Sequence, residues 1–213
     1  MDDQQNPSTR ITFITSLRDD VEHALSASDA GSASDRRNLL RTIVSAIEGV
    51  SWVYRMHVLS IAKVVIEVSP LLELAFAESS FAVSEQGKIE EQPRYISTMA
   101  MIRLTTRVAK SINVDIDVDF SGSGWRNLRS AIGMRNRVTH PKSIEDLTVT
   151  DDDTRKAKQG FFWFLNTVVH VMEQTLEELS TYASFATELT DQLKQGDPAT
   201  VALYNRVYKE LND

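Results

Sequence analysis

The sequence contains no cysteine at all. This absence excludes a disulfide framework, a zinc–thiolate centre and a cysteine nucleophile, and nothing calls for an oxidising compartment. No stretch approaches the roughly 20 consecutive apolar residues that cross a bilayer. Residues 1–9 are polar and acidic, without the apolar core of a signal peptide. We therefore expect a cytoplasmic protein with no membrane partner.

Positive charge is also in the minority, because 23 Lys and Arg face 30 Asp and Glu, for a formal net charge of −7. Broad, non-specific nucleic-acid binding needs an extended cationic surface that releases counterions. Any nucleic-acid contact must therefore be local. Residues 125–144 contain no Asp or Glu, and we call them the basic segment. Its cations are Arg126, Arg129, Arg135, Arg137 and Lys142, and His140 adds a titratable group.

Apolar residues recur every three or four positions along most of the chain, which is the spacing of helices. The pattern predicts helices over residues 10–25, 40–68, 70–83, 95–112 and 123–138, a long one after Thr150 and a short terminal one from Asp197. Ser69-Pro70 suits a helix stop followed by a helix start, and Thr150 with Asp153 fits a capping box. We expect an all-α fold, a helical bundle of four to five long helices plus terminal helices.

Length and composition place this bundle in one domain. The chain has 213 residues, of which 42% are hydrophobic and 25% charged, close to an average globular chain. We expect a disordered tail over residues 1–9 and a single domain over residues 10–213, with its core at about residues 36–193. Residues 26–34 are rich in Ser, Ala, Gly and Asp and predict a linker, and residues 84–94 predict a loop.

Alternating apolar and acidic residues over 114–120 have the period of a half-buried strand, although an extended loop on the bundle fits equally well. Asp115, Asp117 and Asp119 imitate the start of a calcium loop. The sixth loop position, however, is Phe120 where the turn needs Gly, and the twelfth is Arg126 where a bidentate Glu belongs. We therefore expect no metal and no cofactor.

The basic segment ends in Arg135-Asn136-x-x-x-His140. An arginine and a histidine with the same spacing also occur at Arg18 and His23, but three acids stand between them and would repel a phosphate. The copy at Arg135 lies in an acid-free stretch that runs into a turn at Pro141. It is therefore the better candidate for an anion site.

Arg135 to His140, placed before a long final helix, resembles the R-x4-6-H motif of the HEPN superfamily. Asn136 directly after the arginine is found in many HEPN ribonucleases. The resemblance spans about residues 36–193, but only the six-residue motif is specific. It implies an α-helical bundle, commonly a homodimer whose two motifs face one cleft, and in active members a metal-independent endoribonuclease. Pro141-Lys142 follows His140 where HEPN toxins paired with nucleotidyltransferase antitoxins carry H-x-Y, so this chain is not placed in that subgroup.

The residue types suit cleavage of RNA through its own 2′-hydroxyl. Histidine titrates near neutral pH and can act as base or acid, and Arg135 can donate two hydrogen bonds to a phosphate and stabilise developing charge. Asn136 would orient His140 or bond a phosphate oxygen. We expect the flanking RNA backbone to be bound by the remaining cations Arg126, Arg129, Arg137 and Lys142.

Two alternatives stay open. The first is an endoribonuclease, in a toxin or defence system and with an antitoxin or regulatory protein as a partner. The second is a non-catalytic helical module that binds RNA or protein, in which Arg135 merely pairs with an acid such as Asp115 or Glu145. Glu48, in the long second helix, is another candidate partner of the motif. Arg135 and His140 lie about 140° apart on a helix, so they converge only if the helix ends between them or if two subunits share the site.

Overall fold

Helices dominate the residues that the computed structural model describes, which are 7–28 and 31–212. The expected all-α fold is confirmed. Its helices are α1 (Pro7–Ser28), α2 (Ala33–Val65), α3 (Pro70–Phe76), α4 (Thr98–Ile112), α5 (Ser123–Thr139), α6 (Asp151–Gln195) and α7 (Pro198–Asn212). A hairpin of β1 (Ser79–Val83) and β2 (Ile89–Pro93) follows α3. None of the described helices is long and apolar enough to span a membrane.

The centre of the bundle is α2, which packs against α1, α4, α5 and α6. Its apolar residues at steps of three and four are almost completely buried. Among the largest are Leu40, Ile43, Ile47, Tyr54 and Val58. Burial of each such aliphatic side chain contributes about 1.5–3 kcal/mol, so this row determines which face of α2 points inward.

The closest helix pair is α5 with α6. At Gly160 of α6, an added Cβ would lie only 2.5 Å from the backbone nitrogen of Leu128 in α5. The two helix backbones therefore approach each other at a point where no larger residue fits. The Thr150–Asp153 capping box is present as predicted, and it starts α6 beside the end of α5.

The segment after α3 differs from the prediction. The helix that we expected to reach Val83 ends at Phe76, and Glu78 takes a left-handed φ of 52°. The following residues form β1, which pairs with residues 89–93 in antiparallel register. The predicted loop over residues 84–94 therefore contains β2. The apolar periodicity could not reveal this pairing, because a strand needs a partner that the local pattern does not specify.

The other differences are at element ends. The predicted tail is helical from Pro7, and residues 1–6 lie outside the described part of the chain. The predicted linker is shorter, since α1 extends to Ser28 and Ser32 caps α2. Residues 113–120 contain no strand and form an extended loop, with Ile116 buried against the bundle. Ser123, which we expected to cap α5, is its first residue, and the cap is Gly122, without a side-chain hydrogen bond.

Candidate active site

Arg135 lies on the inner side of α5. The buried residues of this helix are Trp125, Leu128, Ala131, Met134 and Val138. Arg135 is on the same side, with its side chain 23% exposed, and its Nη2 forms an ion pair with Oε1 of Glu48 in α2. The acid that holds the motif arginine is therefore Glu48, and neither Asp115 nor Glu145 forms an ion pair with it within the described residues.

Asn136 and His140 point away from α2. The helix continues to Thr139, and His140 is its C-cap with φ −124° and ψ 61°. The backbone N–H of His140 donates to the carbonyl of Asn136 at 3.0 Å. At about 100° per residue, Asn136 is turned about 100° from Arg135 and His140 about 140°. Both side chains are exposed, and neither forms a hydrogen bond with another side chain in the described part of the chain.

The outer side of α5 carries the other arginines of the basic segment. Eleven residues separate Arg126 from Arg137, which brings them within about 20° of each other around the helix, and Arg129 lies about 60° away. All three are exposed. We call this side of α5, together with Asn136 and His140, the basic face. Arg135 does not belong to it, since nine residues place it about 180° from Arg126.

Two of these arginines are oriented by backbone carbonyls. Nη1 of Arg126 donates to the carbonyl of Ser121 at 3.1 Å, and Nη2 of Arg137 donates to that of Thr148 at 3.1 Å. Arg126 and Arg129 also line one shallow surface depression. Each guanidinium keeps further N–H groups for a phosphate, since arginine has five.

Lys142 lies beyond the helix, in the turn after Pro141. Its backbone N–H donates to Oδ2 of Asp146 at 2.8 Å, and its side chain is exposed. A hydrogen bond from Ser143 lowers the pKa of the Glu145 carboxyl below its usual value. This acid therefore stays ionised at neutral pH, and it limits the positive potential at this end of the basic face.

A second ionised carboxylate lies at the other end of α5. Asp119 accepts hydrogen bonds from the hydroxyl and N–H of Ser121 at 2.6 and 2.7 Å and from the N–H of Gly122 at 3.0 Å. These bonds, with the nearby charge of Arg126, lower the pKa of Asp119. A bound phosphate would therefore be favoured along the middle of the basic face.

The arginine of the second Arg–His pair, Arg18 and His23, is paired with neighbouring acids. The Arg18 guanidinium donates to Asp19 at 2.8 Å and lies 3.7 Å from Glu22. These carboxylates raise the pKa of Arg18, with the Asp19 hydrogen bond as the largest cause. An arginine paired in this way presents little net positive charge to a phosphate.

A second cationic surface, which was not predicted, lies on α4. Arg103, Arg107 and Lys110 line a groove of about 570 Å³, and Arg103 stacks over the rings of Phe120 and Trp125 at 5.2 and 5.1 Å. Their spacing of four and three residues places them on one side of a helix. That spacing was visible in the sequence, and so was the acid-free run of residues 92–114 that contains these cations.

Within the described residues, no group of three or more histidine, aspartate or glutamate side chains could hold a metal ion. Comparison with family models, with curated proteins and with solved structures finds no match to this chain. Function is therefore inferred from the geometry of α5 and its partners.

Proposed function

We propose that this chain is a HEPN-like, metal-independent endoribonuclease that cleaves RNA through its 2′-hydroxyl. One observation carries the proposal: the helix that bears the motif anchors Arg135 through Glu48 and exposes Asn136 and His140 beside the basic face. A histidine left accessible among arginines is suited to acid–base chemistry on a phosphodiester.

The reaction needs three contributions. A base removes the 2′-hydroxyl proton while the 2′-oxygen attacks phosphorus, and an acid protonates the 5′-oxygen as its bond to phosphorus breaks. The products are a 2′,3′-cyclic phosphate and a 5′-hydroxyl. His140 supplies one of the proton transfers, and the Arg135 guanidinium stabilises the charge on the phosphorane oxygens. Asn136 binds a phosphate oxygen or orients the imidazole.

The angle between Arg135 and His140 supports a site shared by two copies of the chain, because α5 remains helical through Thr139. An exposed apolar row suited to joining two copies is present on α6, on the side turned about 180° from Gly160 and α5. Phe162, Val169 and Leu176 are 52%, 54% and 50% exposed, and they recur every seven residues. This period is that of a seam between two packed helices.

The dimer is tested by light scattering of the wild type and of a Val169→Glu, Leu176→Glu double variant. We expect a dimer for the wild type and a folded monomer for the variant, and unchanged cleavage by that monomer would contradict the shared site. A monomeric wild type that cleaves RNA would contradict the shared site.

Catalysis is tested with purified protein and RNA in the presence of a chelator. His140→Ala and Arg135→Ala should each stay folded and lose about a hundredfold or more in cleavage rate, the usual effect of removing an acid–base group or an oxyanion donor. His23→Ala is the matched control, since His23 is an exposed histidine on α1. Wild-type products should carry 2′,3′-cyclic phosphate ends. Equal cleavage by wild type and His140→Ala would refute the proposal.

The Arg135–Glu48 pair also favours a second candidate, a non-catalytic helical module that binds RNA or protein. A carboxylate beside Arg135 offsets part of the positive charge that a transition state needs. In that case the basic face still binds RNA, but no cleavage occurs under any condition. If the chain is a ribonuclease, we propose that it acts in a toxin or defence system and is restrained by an antitoxin or regulatory protein.

A further inference from the structure

A cavity of about 290 Å³ lies on the other side of the Arg135–Glu48 pair. Its lining includes Glu48, Ser51, Trp52, Arg55, Glu78 and Tyr95. Four of these are contributed by successive turns of α2, and the other two by the segments around the hairpin. Glu48 therefore touches both the motif arginine and this cavity.

Arg55 is the most unusual group in the lining. Its side chain is only 10% exposed, and its Nη1 forms an ion pair with Oε2 of Glu78 at 3.0 Å. Its Nε is buried and has no hydrogen-bond partner among the described residues. A buried donor without an acceptor is costly, and native structures seldom keep one unless something else satisfies it. Nε is therefore a donor still available to an acceptor in the cavity.

The charges of the lining argue against a phosphate as that acceptor. Glu48 is balanced by Arg135 and Glu78 by Arg55, so the cavity is formally neutral. An anion gains little from a neutral lining and loses its hydration. A neutral group with its own donors and acceptors loses less hydration free energy than an anion. It can bond with both the N–H of Arg55 and the free oxygen of Glu48.

The aromatic residues indicate that this group is flat. Tyr95 is 82% exposed, and Trp52 is half-buried with the ring of Phe13 against it at 6.2 Å. Exposed aromatic rings at the mouth of a polar cavity are a common way to stack a nucleobase.

We infer that this cavity binds a nucleobase of the RNA. The base stacks on Tyr95 or Trp52, accepts a hydrogen bond from Nε of Arg55 and donates one to Glu48. Its position next to the cleaved phosphate rests on the proposed function, whereas the binding of the base does not.

The first test measures binding without cleavage. The protein has three tryptophans, at positions 52, 125 and 163. Labelling with 5-fluorotryptophan gives each its own ¹⁹F resonance, and Trp52→Phe assigns the one at the cavity. Titration with each of four nucleosides should shift the Trp52 resonance saturably and leave the other two unchanged. Inorganic phosphate should not shift it.

Two variants with matched controls locate the base. Arg55→Lys keeps the charge opposite Glu78 but removes the Nε donor, and Tyr95→Ala removes one stacking ring. Each should weaken nucleoside binding about fivefold or more, within the range seen when a base-stacking ring or a polar contact is lost. Tyr204→Ala removes another exposed ring, on α7, and should have no effect.

The outcomes separate the two proposals. No nucleoside-induced shift at Trp52, a shift caused by phosphate alone, or unchanged affinity in both variants overturns the base pocket, even if the protein cleaves RNA. Saturable nucleoside binding by a protein that cuts no RNA supports the pocket and refutes the ribonuclease. If the protein does cleave, sequencing of the ends should show a base preference next to the cut that Arg55→Lys weakens.

Discussion

Glu48→Gln tests whether the acid that contacts Arg135 positions it for catalysis. The side chains of the pair are 23% and 43% exposed, so the pair is partly solvated. Ion pairs of this kind contribute about 0.2–1 kcal/mol to stability. For a chain of this length, 1 kcal/mol lowers the melting temperature by about 2–4 °C. The variant should therefore remain folded.

The effect on cleavage should be easier to detect than the effect on stability. A hydrogen bond to a charged acceptor contributes about 1.5–3 kcal/mol, against about 0.5–1.5 kcal/mol for a neutral one. Because the pair is partly solvated, replacing the carboxylate by an amide removes at most about 1 kcal/mol, which corresponds to a roughly fivefold slower single-turnover rate. The assay is cleavage of a short labelled RNA, with thermal unfolding measured in parallel.

A double-mutant cycle with Arg135→Ala separates positioning from other effects. If Glu48 acts through Arg135, Glu48→Gln should not slow cleavage any further in the Arg135→Ala background. Glu73→Gln is the matched control, because Glu73 pairs with Lys63 of α2 at 2.6 Å with similar exposure. An equal loss of cleavage rate in both backgrounds would refute the reasoning. Faster cleavage by Glu48→Gln would show instead that Glu48 only neutralises Arg135.

Charge reversal at Arg126 and Arg129 should weaken RNA binding. The slope of log K against log salt concentration should become shallower by about 1.4, because two phosphate contacts are lost. An unchanged slope would show that RNA does not bind to this face. Gly160→Ala should destabilise the protein by about 1–3 kcal/mol in denaturant unfolding, because its Cβ would meet the backbone of α5. Gly133→Ala, with open space around it, should cause no loss. Burial raises the pKa of Tyr54 to about 12. The unfolded chain releases this proton at about pH 10, so stability should be intact below pH 10 and fall as the pH rises to 12. Tyr54→Phe should flatten this fall in unfolding curves, and an equally steep fall in the variant would contradict it.

The sequence by itself determined those features that depend on neighbouring residues. The caps at Ser69 and Thr150, the terminal helix from Pro198 and the long apolar row of α2 all follow from interactions within a few turns of one helix. They were predicted correctly because helical hydrogen bonds join residues only four apart. The basic segment was also recognisable in the sequence, because it contains no Asp or Glu.

Only the tertiary structure decided the features that join distant residues. The hairpin pairs residues 79–83 with residues 89–93, and a strand partner cannot be recognised from the period of one strand. Glu48 was one of three acids considered for Arg135, and packing of α2 on α5 selected it. The same packing separates Arg135 from the basic face and encloses Arg55 beside Glu78. Such contacts depend on the relative orientation of packed helices. The spacing of residues within a single helix does not specify that orientation.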